Sequence, residues 1–243
     1  MASEVGHARN VSNFEILISK VLGFGGVYKP SNADIELGPL QTKFAASIAA
    51  MDGVTNKLAL EKTGINERQN LFKPLRPTVT RSVNYYASTG AEENAVKDAQ
   101  SLKRKVDGKR ASALPVDDPN TPENEALNVY SSSQQSYIQL VEHFDDLIAL
   151  YESDVKYAPN EADLATNSLT TYSTSLKTST TNVINKLTDT GNARLTRKTE
   201  LYFAGTGLFN LQKLVKKYVK GVFGASSPQY KQISGLKFVN FDE

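Results

Sequence analysis

The chain has no cysteine. That absence excludes disulfides, thiolate metal sites and a cysteine nucleophile. Histidine is nearly missing too: only His7 and His143 occur. A metal centre needs several converging ligands, and two isolated histidines with no H-x-x-H pair do not supply them. Neither a metal nor a cofactor is expected. There is no uninterrupted apolar run of about 18 residues, so no membrane span is expected. Met1 to Arg9 lacks the apolar core of a secretory signal, which makes a cytoplasmic location the expectation. A net charge of +2 on 243 residues provides no global field toward nucleic acid or an anionic membrane.

What is present reads as a globular chain, with 40% hydrophobic and 22% charged residues. It also reads as a chain that repeats itself. Tyr28, Pro30, Ala33, Asp34 and Leu40 recur 129 residues on as Tyr157, Pro159, Ala162, Asp163 and Leu169. Val54, Asn56, Lys57 and Leu58 recur at the same offset of 129 as Val183, Asn185, Lys186 and Leu187. Phe14, Leu17 and Ile18 match Phe144, Leu147 and Ile148 at 130, and Gly90 and Ala91 match Gly224 and Ala225 at 134. Matches at polar positions such as Asn56/Asn185 are not demanded by packing. A steady offset with short gaps therefore points to duplication.

The apolar spacing is helical throughout. Leu127, Tyr130, Gln134, Tyr137, Val141, Phe144, Ile148, Tyr151 and Val155 alternate steps of three and four, a heptad seam. Thr121-Pro122 suits its start, and the residue before Pro159 its end. Asn160 is expected to cap a next helix carrying Leu164, Leu169, Tyr172, Leu176, Val183 or Ile184, and Leu187, with Gly191-Asn192 as its stop. Ser and Thr crowd this segment from Thr166 to Thr181, so packing must stabilise it. The first half has the matching stripe Leu40, Phe44, Ile48, Met51, Thr55 and Leu58. A third helix is expected around Leu208 to Val222 and, broken early by Pro74 and Pro77, around Leu75 to Tyr86. A short fourth follows a glycine turn in each half, with Ser227-Pro228 as one start. The expected fold is all-α: two tandemly duplicated helical-bundle units with long antiparallel helices, at residues 1–110 and 122–243, joined by a linker at 111–121.

Catalytic patterns are missing. Acidic pairs such as Glu92-Glu93, Asp117-Asp118 and Asp145-Asp146 diverge on a helix rather than converge. Gly205-Thr206-Gly207 and Gly23-Phe24-Gly25-Gly26 complete neither a dinucleotide fingerprint nor a phosphate loop, and read as helix breaks or close-packing points. His7 falls in a polar terminus, and His143 reads as a surface residue off the seam. An enzyme is not expected.

Charge is segregated. Ala111 to Val155 holds nine acidic residues and no Lys or Arg. Arg194 to Lys220 holds seven basic residues, Arg194, Arg197, Lys198, Lys213, Lys216, Lys217 and Lys220, against one acid, Glu200. Three arrangements fit: the acidic and basic helices neighbour one another in one bundle, they meet between chains, or the basic face binds nucleic acid or another acidic partner. The first expectation is a non-enzymatic structural or interaction protein that self-associates through helix faces. The alternative is a polyanion binder using the seven basic residues.

The stretch from Tyr218 to Phe238, YVKGVFGASSPQYKQISGLKF, resembles a segment of uncharacterised proteins of the Bacteroidota. The resemblance implies a bacterial source and a helical fold. It carries no activity and no site residues.

Overall fold

Helix signals and helix breaks divide the described residues into eight α-helices. The computed structural model describes residues 4–109 and 135–241. In order they are α1 (Glu4–Gly23), α2 (Leu37–Phe72), α3 (Leu75–Ser88), α4 (Glu93–Asp107), α5 (Tyr137–Glu152), α6 (Thr166–Tyr202), α7 (Leu208–Phe223) and α8 (Pro228–Ser234). The described residues contain no strand. The chain is all-α, as its periodicity predicts. The seam residues Leu127, Tyr130 and Gln134, the Thr121-Pro122 start and the 111–121 linker lie outside the described residues.

Several ends follow the local chemistry. Ser227 caps α8 by accepting from the Tyr230 N–H at 3.1 Å, with Pro228 at the first turn. Ser136 caps α5 through the Gln139 N–H. Gly90, Gly108, Gly205 and Gly224 all take positive φ at breaks between or after helices, a conformation that favours glycine.

Three expectations are corrected. α6 does not stop at Gly191-Asn192 but runs on to Tyr202. Gly191 keeps a negative φ, so the left-handed turn that would end the helix never forms. The break comes instead at Gly205, whose φ is +92°. Asn160 does not cap α6, which begins at Thr166. Nor do Pro74 and Pro77 truncate α3: they sit before and inside its first turn, where a missing N–H costs nothing.

The Ser/Thr-rich stretch of α6 holds its helix by turning hydroxyls back on the backbone. Thr170, Thr171, Thr174, Ser175 and Thr180 each donate to the carbonyl four residues earlier, at 2.8–3.0 Å. Downstream Thr190, Thr196 and Thr199 do the same. A hydroxyl that could compete with the helix is thereby absorbed by it.

Contacts group the chain into two compact units that cut across the division into 1–110 and 122–243. One consists of 1–62 with 186–243, the other of 63–185. Each draws helices from both halves of the chain, and the boundary falls inside α2 and α6. In the first unit α1 packs against α7 and α8 around Phe14, Leu17, Leu40, Leu201, Leu208 and Val215. In the second, α5 packs against α4, and α4 against α3, around Leu75, Tyr86, Ala99, Phe144, Leu147 and Leu176. Within each unit α2 and α6 are tied together: Lys43 to Glu200 and Lys57 to Asp189, both at 2.7 Å, in the first, and the Tyr172 hydroxyl to the Leu71 carbonyl at 2.8 Å in the second. The numbers run oppositely along the two helices, which makes them antiparallel.

Matching details recur in the two units. The loop before each long helix is pinned by a tyrosine hydroxyl: Tyr28 donates to the Ile35 carbonyl at 2.6 Å, and Tyr157 to the Leu164 carbonyl at 2.9 Å. Each of these rings also meets a tyrosine of the other chain half edge-on. Tyr28 meets Tyr218 at 5.2 Å and 86°, and Tyr157 meets Tyr85 at 5.4 Å and 87°. Phe14/Phe144, Leu17/Leu147, Leu40/Leu169 and Leu75/Leu208 are all buried.

The two hydroxyl pins are therefore expected to be worth similar amounts. Tyr28→Phe and Tyr157→Phe should each lower unfolding free energy by about 1 kcal/mol in urea titrations. Loss at one position without loss at the other would break the equivalence.

Candidate interaction surfaces

The histidines are not where the sequence suggests. His7 is not in a polar tail but inside α1 and buried, its Nδ1 2.7 Å from the Tyr202 hydroxyl. It stands at Glu-x-x-His spacing from Glu4, yet no group of three or more potential metal ligands forms among the described residues. His143 is not a surface residue either. It is buried on α5, and its Nε2 has no hydrogen-bond partner. Residues just off the heptad seam are buried here because α4 closes over that side of α5. Burial, followed by the Lys105 cation, holds the His143 pKa below its usual value, while Asp146 and Glu142 pull weakly the other way.

The basic residues divide into structural and open ones. Arg197 is buried in α6. Lys216 on α7 is half-buried: its Nζ donates to the Leu236 carbonyl at 2.5 Å and lies 5.2 Å from the Phe238 ring, and burial lowers its pKa. Arg194 and Lys198 are exposed on α6. Lys213, Lys217 and Lys220 are exposed on α7, at steps of four and three that give one stripe. Lys213 rides over Phe209 at 4.1 Å and Lys220 over Tyr230 at 6.0 Å. Among the described residues none of these three lysines pairs with a carboxylate. Most of the acidic segment, 111–134, lies outside the described residues, and α5 belongs to one compact unit and α7 to the other. The acid on α5 that does pair, Asp145, binds Lys177 of α6 at 2.7 Å.

Each unit has an apolar groove among its described residues. In the second unit Ile138 and Val141 of α5 face Thr180, Thr181 and Ile184 of α6, with Glu142, Asp145 and Lys177 along one edge. Ile138 is 55% exposed and Ile184 50%. In the first unit Val5 and Ala8 of α1 face Met51, Thr55 and Leu58 of α2. The positions correspond: Ala8 to Ile138 at an offset of 130, and Met51 and Thr55 to Thr180 and Ile184 at 129. Each groove lies between the start of a first helix and the middle of the long helix that follows it. No signal in the sequence separates these positions from the rest of the stripes, because the period marks a face and not which part of it a neighbour leaves open.

Family models, curated proteins and solved structures yield no match to this chain. Among the described residues no helix is long and apolar enough to cross a membrane.

Two outcomes follow. The folded chain prefers neutral His143, whereas an unfolded histidine gains a proton below about pH 6.5. Stability is thus present above that pH and lost as pH falls through it toward the lowered folded pKa. His143→Leu should flatten the stability profile between about pH 5 and 7 by up to one proton; identical profiles would assign the acid limb to another group. For α7, Lys213→Glu with Lys217→Glu should cost no more than about 1 kcal/mol in thermal unfolding, since only a cation–π contact is lost. A much larger loss would reveal an ion-pair partner.

Proposed function

We propose that the chain is a non-enzymatic, self-associating interaction protein, made of two copies of one helical unit whose helices are exchanged between two compact bundles. Support for the duplication comes from the common succession of helices in 4–107 and 137–234, the two tyrosine pins, and the two edge-on tyrosine pairs. The observation that carries the functional reading is the apolar groove found twice at corresponding positions, with Ile138 and Ile184 left half-exposed. Apolar area is stabilising when covered, at about 25 cal/mol per Å². A surface that the same chain offers twice suits a symmetric contact between copies.

Light scattering across a concentration series tests this. The mass is expected to rise with concentration in the wild type, and Ile138→Lys with Ile184→Lys to reduce that rise while leaving the helical content unchanged. A strict monomer at every concentration would overturn the proposal.

A second reading rests on the open stripe Lys213, Lys217 and Lys220. Three exposed cations without carboxylate partners among the described residues favour phosphate contacts, and so a nucleic acid or other polyanion. Retention of random DNA or RNA that weakens steeply with salt would favour it. No retention at low salt would dismiss it.

A further inference from the structure

The non-helical end of the chain, 236–241, lies on α1 and α7 and is held there by side chains that read its backbone. The Asn10 amide donates to the Val239 carbonyl at 2.7 Å and accepts from the Val239 N–H at 3.0 Å. Asn13 donates to the Lys237 carbonyl at 2.6 Å, and Lys216 to the Leu236 carbonyl at 2.5 Å. Two rings anchor the segment. Phe238 lies beneath Lys216, and Phe241 sits edge-on to His7 at 5.0 Å and near Tyr202 at 6.1 Å. Gly6 makes room for Phe241: a Cβ at that position would collide with its ring. Asn10 is itself buried, and its amide also donates to the Tyr202 hydroxyl at 3.1 Å.

This is the chemistry of a peptide-recognition groove. A side-chain amide that takes both the N–H and the C=O of one residue substitutes for a neighbouring strand, and the contacts to the Phe238 and Phe241 rings set the register. The occupant here is the chain's own tail, the 236–241 segment. Gly235, the helix end at Ser234 and the lack of helix in 236–241 leave that tail joined to α8 by a short link. A second copy carries the same tail and the same groove, so each bond made within one chain is available between two. We infer that the groove formed by Gly6, Asn10, Asn13 and Lys216 is a docking site for the Phe238–Phe241 segment of a second copy, and that exchange of this segment is one route of self-association. The inference rests on the self-association reading and names its partner.

The test pairs two full-length variants. In Asn10→Leu the groove is damaged and the tail intact; in Phe238→Asp with Phe241→Asp the tail is damaged and the groove intact. Each alone has no competent pair. Mixed in equal amounts they contain one good groove and one good tail, now freed from competition by the attached segment. The mixture is expected to gain a species of about twice the mass that neither variant shows alone. Gly6→Ala serves as a second groove variant, because it blocks Phe241 while favouring the helix, and circular dichroism confirms that each chain folds. Mixtures in which every chain keeps the mass it has alone would overturn the exchange. If the wild type associates and both variants associate equally well unmixed, the exchange is likewise overturned, while self-association through the apolar grooves stands. If wild type and mixtures are all monomeric, both proposals fall.

Discussion

The length of α2 and α6 constrains everything else. Helices of 36 and 37 residues bury apolar side chains near both ends, Leu40 and Phe72 on α2 and Leu169 and Leu201 on α6. At 1.5 Å per residue those ends are too far apart for one small bundle core to cover. The two ends must therefore be buried by different partners. That requirement is met by α1, α7 and α8 for one part of the chain and by α3, α4 and α5 for the other.

The exchange of helices between chain halves follows from this. A half-chain that closed on itself would need α1 to cover its own long helix along its whole length. With α2 and α6 antiparallel, the end of one long helix lies beside the start of the other, and each unit takes its remaining helices from whichever half supplies them. Tyr28 against Tyr218 and Tyr157 against Tyr85 are the local signature: a pin in one half meets a ring from the other. In the second unit the contact grows into a cluster, with Tyr151 stacked on Tyr157 at 3.8 Å and Tyr86 bonded to Asp154 at 2.6 Å. The hydroxyls of such buried rings need partners, and the bonds of Tyr86 to Asp154, Tyr151 to Ser82 and Tyr157 to the Leu164 carbonyl supply them.

Surfaces rather than centres carry the functional reading. The polar groups that the core does bury serve packing: Asn10 reads the tail backbone, Ser82 receives the Tyr151 hydroxyl, and Ser47 turns back on Lys43. The groove pair, the lysine stripe of α7 and the tail groove are each composed of side chains suited to holding another macromolecule. They are chemically distinct, being apolar, cationic and backbone-reading respectively, so experiments on one leave the others intact.

Local chemistry alone determined the helical class, the recurrence near 129 residues, the Ser227-Pro228 start and the glycine breaks at Gly90 and Gly224, because each depends on a few neighbouring residues. The three-four spacing likewise marked the faces bearing Leu40, Phe144 and Leu211. Tertiary structure alone decided which half each face would meet. It carried α6 past Gly191, since a helix with a buried stripe on both sides of a glycine gains more by continuing than by turning. It buried His7, His143 and Arg197, and it committed Lys216 to the tail, leaving Lys213, Lys217 and Lys220 open. Period and composition report what a residue prefers; which neighbour arrives to cover it is set by contacts between residues far apart in sequence, and no local pattern encodes those.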